Sequence, residues 1–342
     1  MNSPPPAPSA PPPGPAPTTE GVAPVAPGPG HAAPGPVPPA AGDAAIRTLD
    51  LSKRYGATVA LTGLSLTVPR GLVYGFLGPN GSGKTTTVKL LLGQAAPTGG
   101  EAWLLGMPAG HRQTRRRVGY LPELFRYQGW LSAREVLALH CRLAQLPRPS
   151  WPGQIDGALA TVGLADRDSS RVATFSKGMQ QRLGLAVALL GDPELVILDE
   201  PTSALDPVGR HDTRTIIHGL RDRGCAVFLN SHLLSEVEQV CDQVAVVSQG
   251  RLVAAGSIEE LLGGDAVRLR LTGVDHRVRA VLDGYGARSQ QDGWISVRGV
   301  AAETVPLLVA DVVAAGGRVY AVEPARQSLE DRFLSLLRGE GE

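Results

Sequence analysis

The stretch GPNGSGKT, residues 78–85, leaves this chain few folds to choose from. It follows an apolar run, LVYGFL, and precedes a helical pattern that opens at Lys84. Gly78, Gly81 and Gly83, with Pro79, Asn80 and Ser82 between them, let the backbone curl so that successive N–H groups point inward. A strand that ends in such a loop and runs into a helix is the opening unit of a parallel sheet wound with helices. The N–H array at the helix mouth suits phosphate oxygens. Lys84 has the reach for the β- and γ-phosphates of a triphosphate, the Thr85 hydroxyl suits Mg2+, and Thr86 completes the mouth of the helix.

The sequence downstream keeps the same alternation. LTGLSLTV, ELVILDE, AVFLNS and QVAVVSQGRLVAAG read as strands separated by helical runs, which predicts an α/β domain over residues 44–264. Between about 118 and 190 the pattern turns helical, and Ser132 with Glu135 forms a capping box ahead of EVLALHCRL. A helical subdomain is expected there. Residues 265–342 carry three further strand patterns, AVRLRL, WISVR and RVYAV, and helices near 274–282, 303–314 and 329–337. They predict a small α+β accessory domain without a glycine loop, paired acids or a His/Cys cluster of its own. Residues 1–43 hold 16 of the 29 prolines with almost no charge. No apolar periodicity exists there to build a core, so the arm is expected to be disordered or locally polyproline II.

Two more stretches carry chemistry. LVILDE, residues 195–200, is an apolar strand ending in two acids. At the tip of a parallel strand they face the same crevice as the phosphate loop. Asp199 is placed to hold Mg2+ and Glu200 to act as general base on water. FSKGMQQRLGLAVALL, residues 175–190, is a small polar loop at the mouth of a helix, which makes it a second anion site.

Bulk properties exclude other classes. Net charge is +1, so no global field points to nucleic acid or an anionic membrane. No apolar run approaches the roughly 18 residues of a membrane helix, and no charged-then-apolar leader is expected. Cys141, Cys225 and Cys241 make no C-x-x-C pair, which predicts free thiols in a reducing compartment. His111, His140, His211, His218 and His276 read as ordinary surface or core histidines, and RQTRRR at 112–117 as a solvated face.

The order GPNGSGKT, FSKGMQQR, LVILDEP, SALD and SH resembles the nucleotide-binding subunit of an ABC transporter, over residues 44–264. The resemblance implies an ATPase that uses ATP and Mg2+. It places Tyr55 on the adenine, Ser176 and Gly178 in the signature loop, residues 203–206 in the loop joining two sites of a dimer, and His232 at the γ-phosphate. Asp206 falls with that nucleotide-contacting set. The signature departs from the commonest form at Phe175, Lys177 and Met179, and this variant resembles those of exporter ATPases. Glu123, in VGYLPE, stands where the family usually carries Gln; the resemblance puts it at the cation, and the alternative reading turns it toward the permease as a salt-bridge partner.

The signature loop of the family caps the γ-phosphate held by a partner subunit, so a head-to-tail homodimer or heterodimer is expected. The membrane permease is expected on a separate chain, with its contact near residues 123–130. The protein then sits in the cytoplasm on the inner face of the cell membrane and serves export of a drug, antibiotic or lipid-like cargo. No nucleic-acid partner is expected. The alternative, a soluble ABC ATPase acting on ribosomes or DNA, is disfavoured by the single phosphate loop and the absence of sustained heptads.

Overall fold

The computed structural model describes residues 44–203, 205–262, 266–289, 293–300, 302–324, 329–330 and 332–333. The Pro-rich arm, residues 1–43, lies outside them, as does most of the helix expected over 329–337.

The chain enters with a long hairpin, β1 (Ala44–Tyr55) and β2 (Thr58–Pro69), followed by the short strand β3 (Val73–Leu77) and helix α1 (Lys84–Leu91). Strands β4 (Gly99–Leu104) and β5 (Met107–Pro108) complete an antiparallel sheet in the order β2-β1-β4-β5. After helix α2 (Arg112–Arg115), strand β6 (Val118–Leu121) leads into three helices, α3 (Ala133–Leu143), α4 (Trp151–Thr161) and α5 (Lys177–Leu189). Strand β7 (Leu195–Asp199), helix α6 (Pro207–Asp222), strand β8 (Ala226–Ser231), helix α7 (Leu234–Val240), strands β9 (Gln243–Ser248) and β10 (Arg251–Ser257) and helix α8 (Ile258–Leu262) finish the first region. The second sheet runs β10-β9-β3-β8-β7-β6, parallel except for the β9–β10 hairpin.

Burial explains these assignments. Every residue of β3, β7 and β8 is buried, as expected of parallel strands covered on both faces. Period-two alternation divides their side chains. Tyr74, Phe76, Leu195, Ile197 and Phe228 face the antiparallel sheet, where Ile46, Leu51, Leu64 and Val68 meet them. Val73, Leu77, Val196, Leu198, Val227 and Leu229 face the helices. Each such side chain contributes roughly 1.5–3 kcal/mol by leaving water.

The helical stretch begins later than the sequence suggested. Residues 118–121 form β6, paired in register with β7 from Val118↔Leu195 to Leu121↔Leu198. Four residues are too few for periodicity to distinguish strand from helix. The position is also set sterically. A Cβ on Gly119 would stand 1.9 Å from the Ala188 carbonyl oxygen, so glycine lets α5 lie directly on the strand. Helix α3 starts as expected. Ser132 Oγ accepts from the Glu135 N–H at 3.2 Å, and Glu135 Oε2 accepts from the Ser132 N–H at 2.7 Å.

The third sheet, antiparallel in the order β12-β13-β11-β14, is built from β11 (Ala266–Thr272), β12 (Ala287–Ser289), β13 (Trp294–Arg298) and β14 (Arg318–Pro324), with helices α9 (His276–Gly284) and α10 (Val305–Ala314). Val267, Leu269, Leu271 and Val297 pack under Val278, Leu282, Leu308 and Val312. Leu329 then returns to the first region. It is buried in the core that includes Val237 and Val240, and its N–H donates to Glu238 Oε2 at 3.3 Å. Sequence periodicity carries no signal for that return. The three cysteines are buried and free.

Candidate functional site

The site gathers at the carboxyl ends of β3, β7 and β8, where buried strands release the chain into loops. Residues 78–83 turn sharply between β3 and α1. A Cβ at Gly78 would meet the Val247 oxygen at 2.3 Å, and one at Gly83 (φ 103°) would meet the Ala60 oxygen at 2.6 Å. Larger residues therefore do not fit at these two positions. The second strand of the β1–β2 hairpin thus abuts the loop, and Tyr55, half exposed at the end of β1, carries the Lys53 ammonium 4.8 Å from its ring centre. Pro79, Asn80 and Gly81 are exposed, as is Thr85 one residue past the helix start, while Thr86 is half-buried.

Lys84 lies folded back on its own loop. Its Nζ donates to the Gly78 carbonyl at 2.7 Å and the Pro79 carbonyl at 3.2 Å. Burial pulls its pKa down, and the nearby charges of Glu200, Asp199 and Glu123 push it back up. Those three acids, brought from two separate stretches of sequence, thus share one electrostatic field with the lysine. Asp199, at the end of β7, accepts a hydrogen bond from Asn230 Nδ2 across the β7–β8 ladder. Its carboxyl pKa is raised, chiefly by burial and then by Glu123 and Glu200, against the opposing effect of Asn230.

Glu200 is nearly buried, and its backbone sits in the left-handed region at φ 53°. That conformation costs roughly 1–2 kcal/mol in a non-glycine residue. The Glu200 N–H donates to the Asn230 carbonyl at 2.9 Å, which holds the turn. Its carboxylate Oε2 is 2.8 Å from His232 Nδ1 and accepts from Ser231 Oγ at 3.5 Å. An acid and a histidine 32 residues apart in sequence are in direct contact because β7 and β8 are neighbours.

Ser176 and Gly178 lie elsewhere. Ser176 caps α5, its Oγ accepting from the Met179 N–H at 3.2 Å, and Leu205 is the near neighbour of Gly178. Asp206 caps α6 by accepting from the Gly209 N–H at 2.8 Å. These residues are not part of the cluster around Lys84.

The sequence reading did not single out Asn230, Ser231 or Tyr120. Asn230 and Ser231 stand just before His232 at a strand end, so the strand pairing was the missing signal. Tyr120, on β6, has its hydroxyl pushed up to about 12 by burial first and by Asp199 and Glu123 next.

Among the described residues no three His, Cys, Asp or Glu side chains form a metal cage. The oxygens that would serve a cation there are those expected from the sequence, Thr85, Asp199 and the exposed Glu123. Ser82 Oγ in the glycine loop and Asn230 Oδ1 beside Asp199 are buried without hydrogen-bond partners. That sparse oxygen set fits Mg2+, which keeps much of its coordination for phosphates and water.

A glycine loop after a buried parallel strand, with an acid pair two strands over, defines a phosphate-loop nucleoside triphosphatase. The particular branch follows from similarity. The ABC transporter family profile matches residues 61–203. The chain is 40% identical over 313 residues to an ABC transporter ATP-binding protein of Nostoc sp., covering 86% of this chain and 90% of the relative. It is 36% identical over 305 residues to a bacitracin transport ATP-binding protein of Bacillus licheniformis, covering 86% and 97%. It is also 36% identical over 309 residues to Nod factor export ATP-binding protein I of Cupriavidus pinatubonensis, covering 88% and 93%. The solved ATP-binding subunit of an ABC transporter superposes with a TM-score of 0.59 at 26% identity, over 78% of this chain and 99% of that one. The chain belongs to the family of ABC transporter ATP-binding proteins. It is an ATP-binding subunit and hydrolyses ATP to ADP and phosphate.

Proposed function

We propose that the chain powers export through a permease carried on a separate polypeptide, working at the inner face of the cell membrane. Relatives that serve bacitracin transport and Nod factor export support that direction and a drug, antibiotic or lipid-like cargo. Leu124 and Trp130, both strongly exposed in the stretch 123–130, offer the permease an apolar contact. Among the described residues no helix is long and apolar enough to cross a membrane.

Two ATPase subunits close head to tail. Lys84 exchanges the carbonyls of its own loop for the β- and γ-phosphates, and Tyr55 stacks on the adenine. Ser176 and Gly178 of one subunit cap the γ-phosphate held by the other. Glu200 takes a proton from the attacking water, and His232, oriented by Glu200, reaches the γ-phosphate. Thr85, Asp199 and Glu123 would hold Mg2+, which would offset the negative charge of the phosphates.

The Glu200–His232 contact at 2.8 Å beside Lys84 carries this reading. Glu200→Gln tests it, because the amide keeps the shape but accepts no proton. Turnover is expected to fall by about 10²-fold or more, with ATP affinity kept and an ATP-dependent dimer detectable by size-exclusion chromatography. Near-normal turnover would remove Glu200 as the base. A protein that stays monomeric with ATP, even beside its permease, would remove the head-to-tail dimer.

A further inference from the structure

Helix α7 begins two residues after His232, and its first turn carries a buried carboxylate, Glu236. Two guanidinium groups from α6 flank it. Arg210 Nη1 stands 3.8 Å from Oε1, and Arg214 Nε stands 3.8 Å from Oε2. These gaps exceed hydrogen-bond length but lie well within Coulombic reach. Glu236 Oε2 and Arg214 Nε are both buried without a hydrogen-bond partner. A purely structural ion pair would be expected to close such gaps, since burying charge is favourable only with good hydrogen bonds. The open arrangement leaves a second, tighter one available.

Arg210 also reaches the other way. Its Nε donates to the Leu205 carbonyl at 3.2 Å. The Leu205 side chain lies 3.6 Å from where a Cβ would stand on Gly178, in the loop ahead of α5. The same segment is bound to Glu200. Ser203 Oγ donates to the Glu200 carbonyl at 3.1 Å, and the Leu205 N–H donates to Thr202 at 3.2 Å. The far side of α7 is tied down where Glu238 accepts from Leu329. A continuous set of neighbours therefore runs from Gly178 through Leu205, Arg210 and Glu236 to the helix that follows His232.

We infer that Glu236 is a positioning residue that joins the Leu205 loop to the His232–Glu200 pair, so that closure at one nucleotide site adjusts the hydrolytic pair of the other. This rests on the head-to-tail dimer proposed above. When Gly178 closes on the partner's nucleotide, Leu205 moves with it. Arg210 then tightens on Glu236, and α7 holds the His232 ring in its contact with Glu200.

The test uses the full chain with its permease in lipid vesicles. Glu236→Gln removes the anion but keeps the shape. The expected result is turnover lower by about ten-fold, ATP affinity within about two-fold, and a Hill coefficient for ATP that falls to one. Arg210→Ala should give the same profile, and the two changes together should cost little more than either alone. Because Glu236→Gln leaves two half-buried cations uncompensated, it is paired with Glu236→Gln/Arg214→Met, which restores the original net charge of the cluster. That protein should regain melting temperature but not turnover. Recovery of turnover along with melting temperature overturns the inference, as do additive losses or a Hill coefficient unchanged by Glu236→Gln. A Hill coefficient of one in the unaltered protein overturns it too. The dimer is read separately. If Glu200→Gln alone forms no dimer with ATP, the head-to-tail reading fails and takes the coupling with it. If that dimer forms while Glu236→Gln leaves cooperativity intact, the coupling alone fails.

Discussion

The two folded regions of this chain bury their sheets in opposite ways. In residues 44–262 the central strands are covered on both faces, so their side chains are apolar until the strand ends. The polar residues then appear together. Ser82, Lys84, Asp199, Glu200, Asn230 and Ser231 are all buried, and all lie at or just beyond the carboxyl ends of β3, β7 and β8. In residues 266–324 one sheet face packs on α9 and α10. Arg268 and Trp294 belong to the opposite face, their side chains 4.6 Å apart, with Arg268 bonded to Glu323. Ser296 is the one buried polar side chain of this region among the described residues. Double burial forces polar groups to the strand ends, where they must pair with each other or with a ligand. Single-sided burial lets them spread into water, where nothing concentrates them.

Lys84→Ala tests the first half of this contrast and has the largest expected effect. Removing the Lys84 cation, which shares its field with Glu200, Asp199 and Glu123, leaves three like charges facing a triphosphate. Hydrolysis should fall below detection in a coupled phosphate-release assay, while circular dichroism stays unchanged. Normal turnover in a folded protein would mean that the buried polar cluster is not the site.

Leu269→Ala tests the second half. Leu269 is fully buried in β11, and its loss should cost roughly 2–5 kcal/mol in the small region. Calorimetry should resolve a lowered transition for that region, with basal ATPase within about two-fold of normal. If ATPase activity and the main transition fall together, Leu329 couples the two regions into one cooperative unit.

The smallest effect concerns a charge cluster at the opposite strand ends. Glu194 bonds both Arg117 and Arg70. The Arg117 hydrogen bond, ahead of Arg70, holds its carboxyl pKa at about 2, below the ordinary 4.5. A depressed carboxylate stabilises fully above 4.5, and that contribution is lost as pH falls toward 2. The side chain is over a third exposed, so screening limits it to about 1 kcal/mol at most. Glu194→Gln should lower the melting temperature slightly at pH 7 and bring the two proteins together as pH falls below 4.5. A gap that stays constant with pH would assign the effect to packing.

Much of the site was legible because its signals are local. The glycine spacing of residues 78–85, the acids closing LVILDE and the Ser132 capping box are each written within a few consecutive residues, and each has the local structure expected of it: a turn between strand and helix, the end of a buried strand, and a capped helix start. The strand β6 was not legible, since VGYL takes its conformation from β7 and from α5 pressing on Gly119. Nor was Asn230, whose bond to Asp199 exists only through the β7–β8 register.

The sequence by itself therefore determined where the glycine loop curls into a helix and which strands are buried, because backbone curvature and apolar period are local properties. The tertiary structure decided that Glu200 meets His232, that Glu236 lies between two arginines, and that Leu329 seats against α7. Those contacts join residues from different elements. Their partners are chosen by strand order and helix packing, which no short stretch of the sequence encodes.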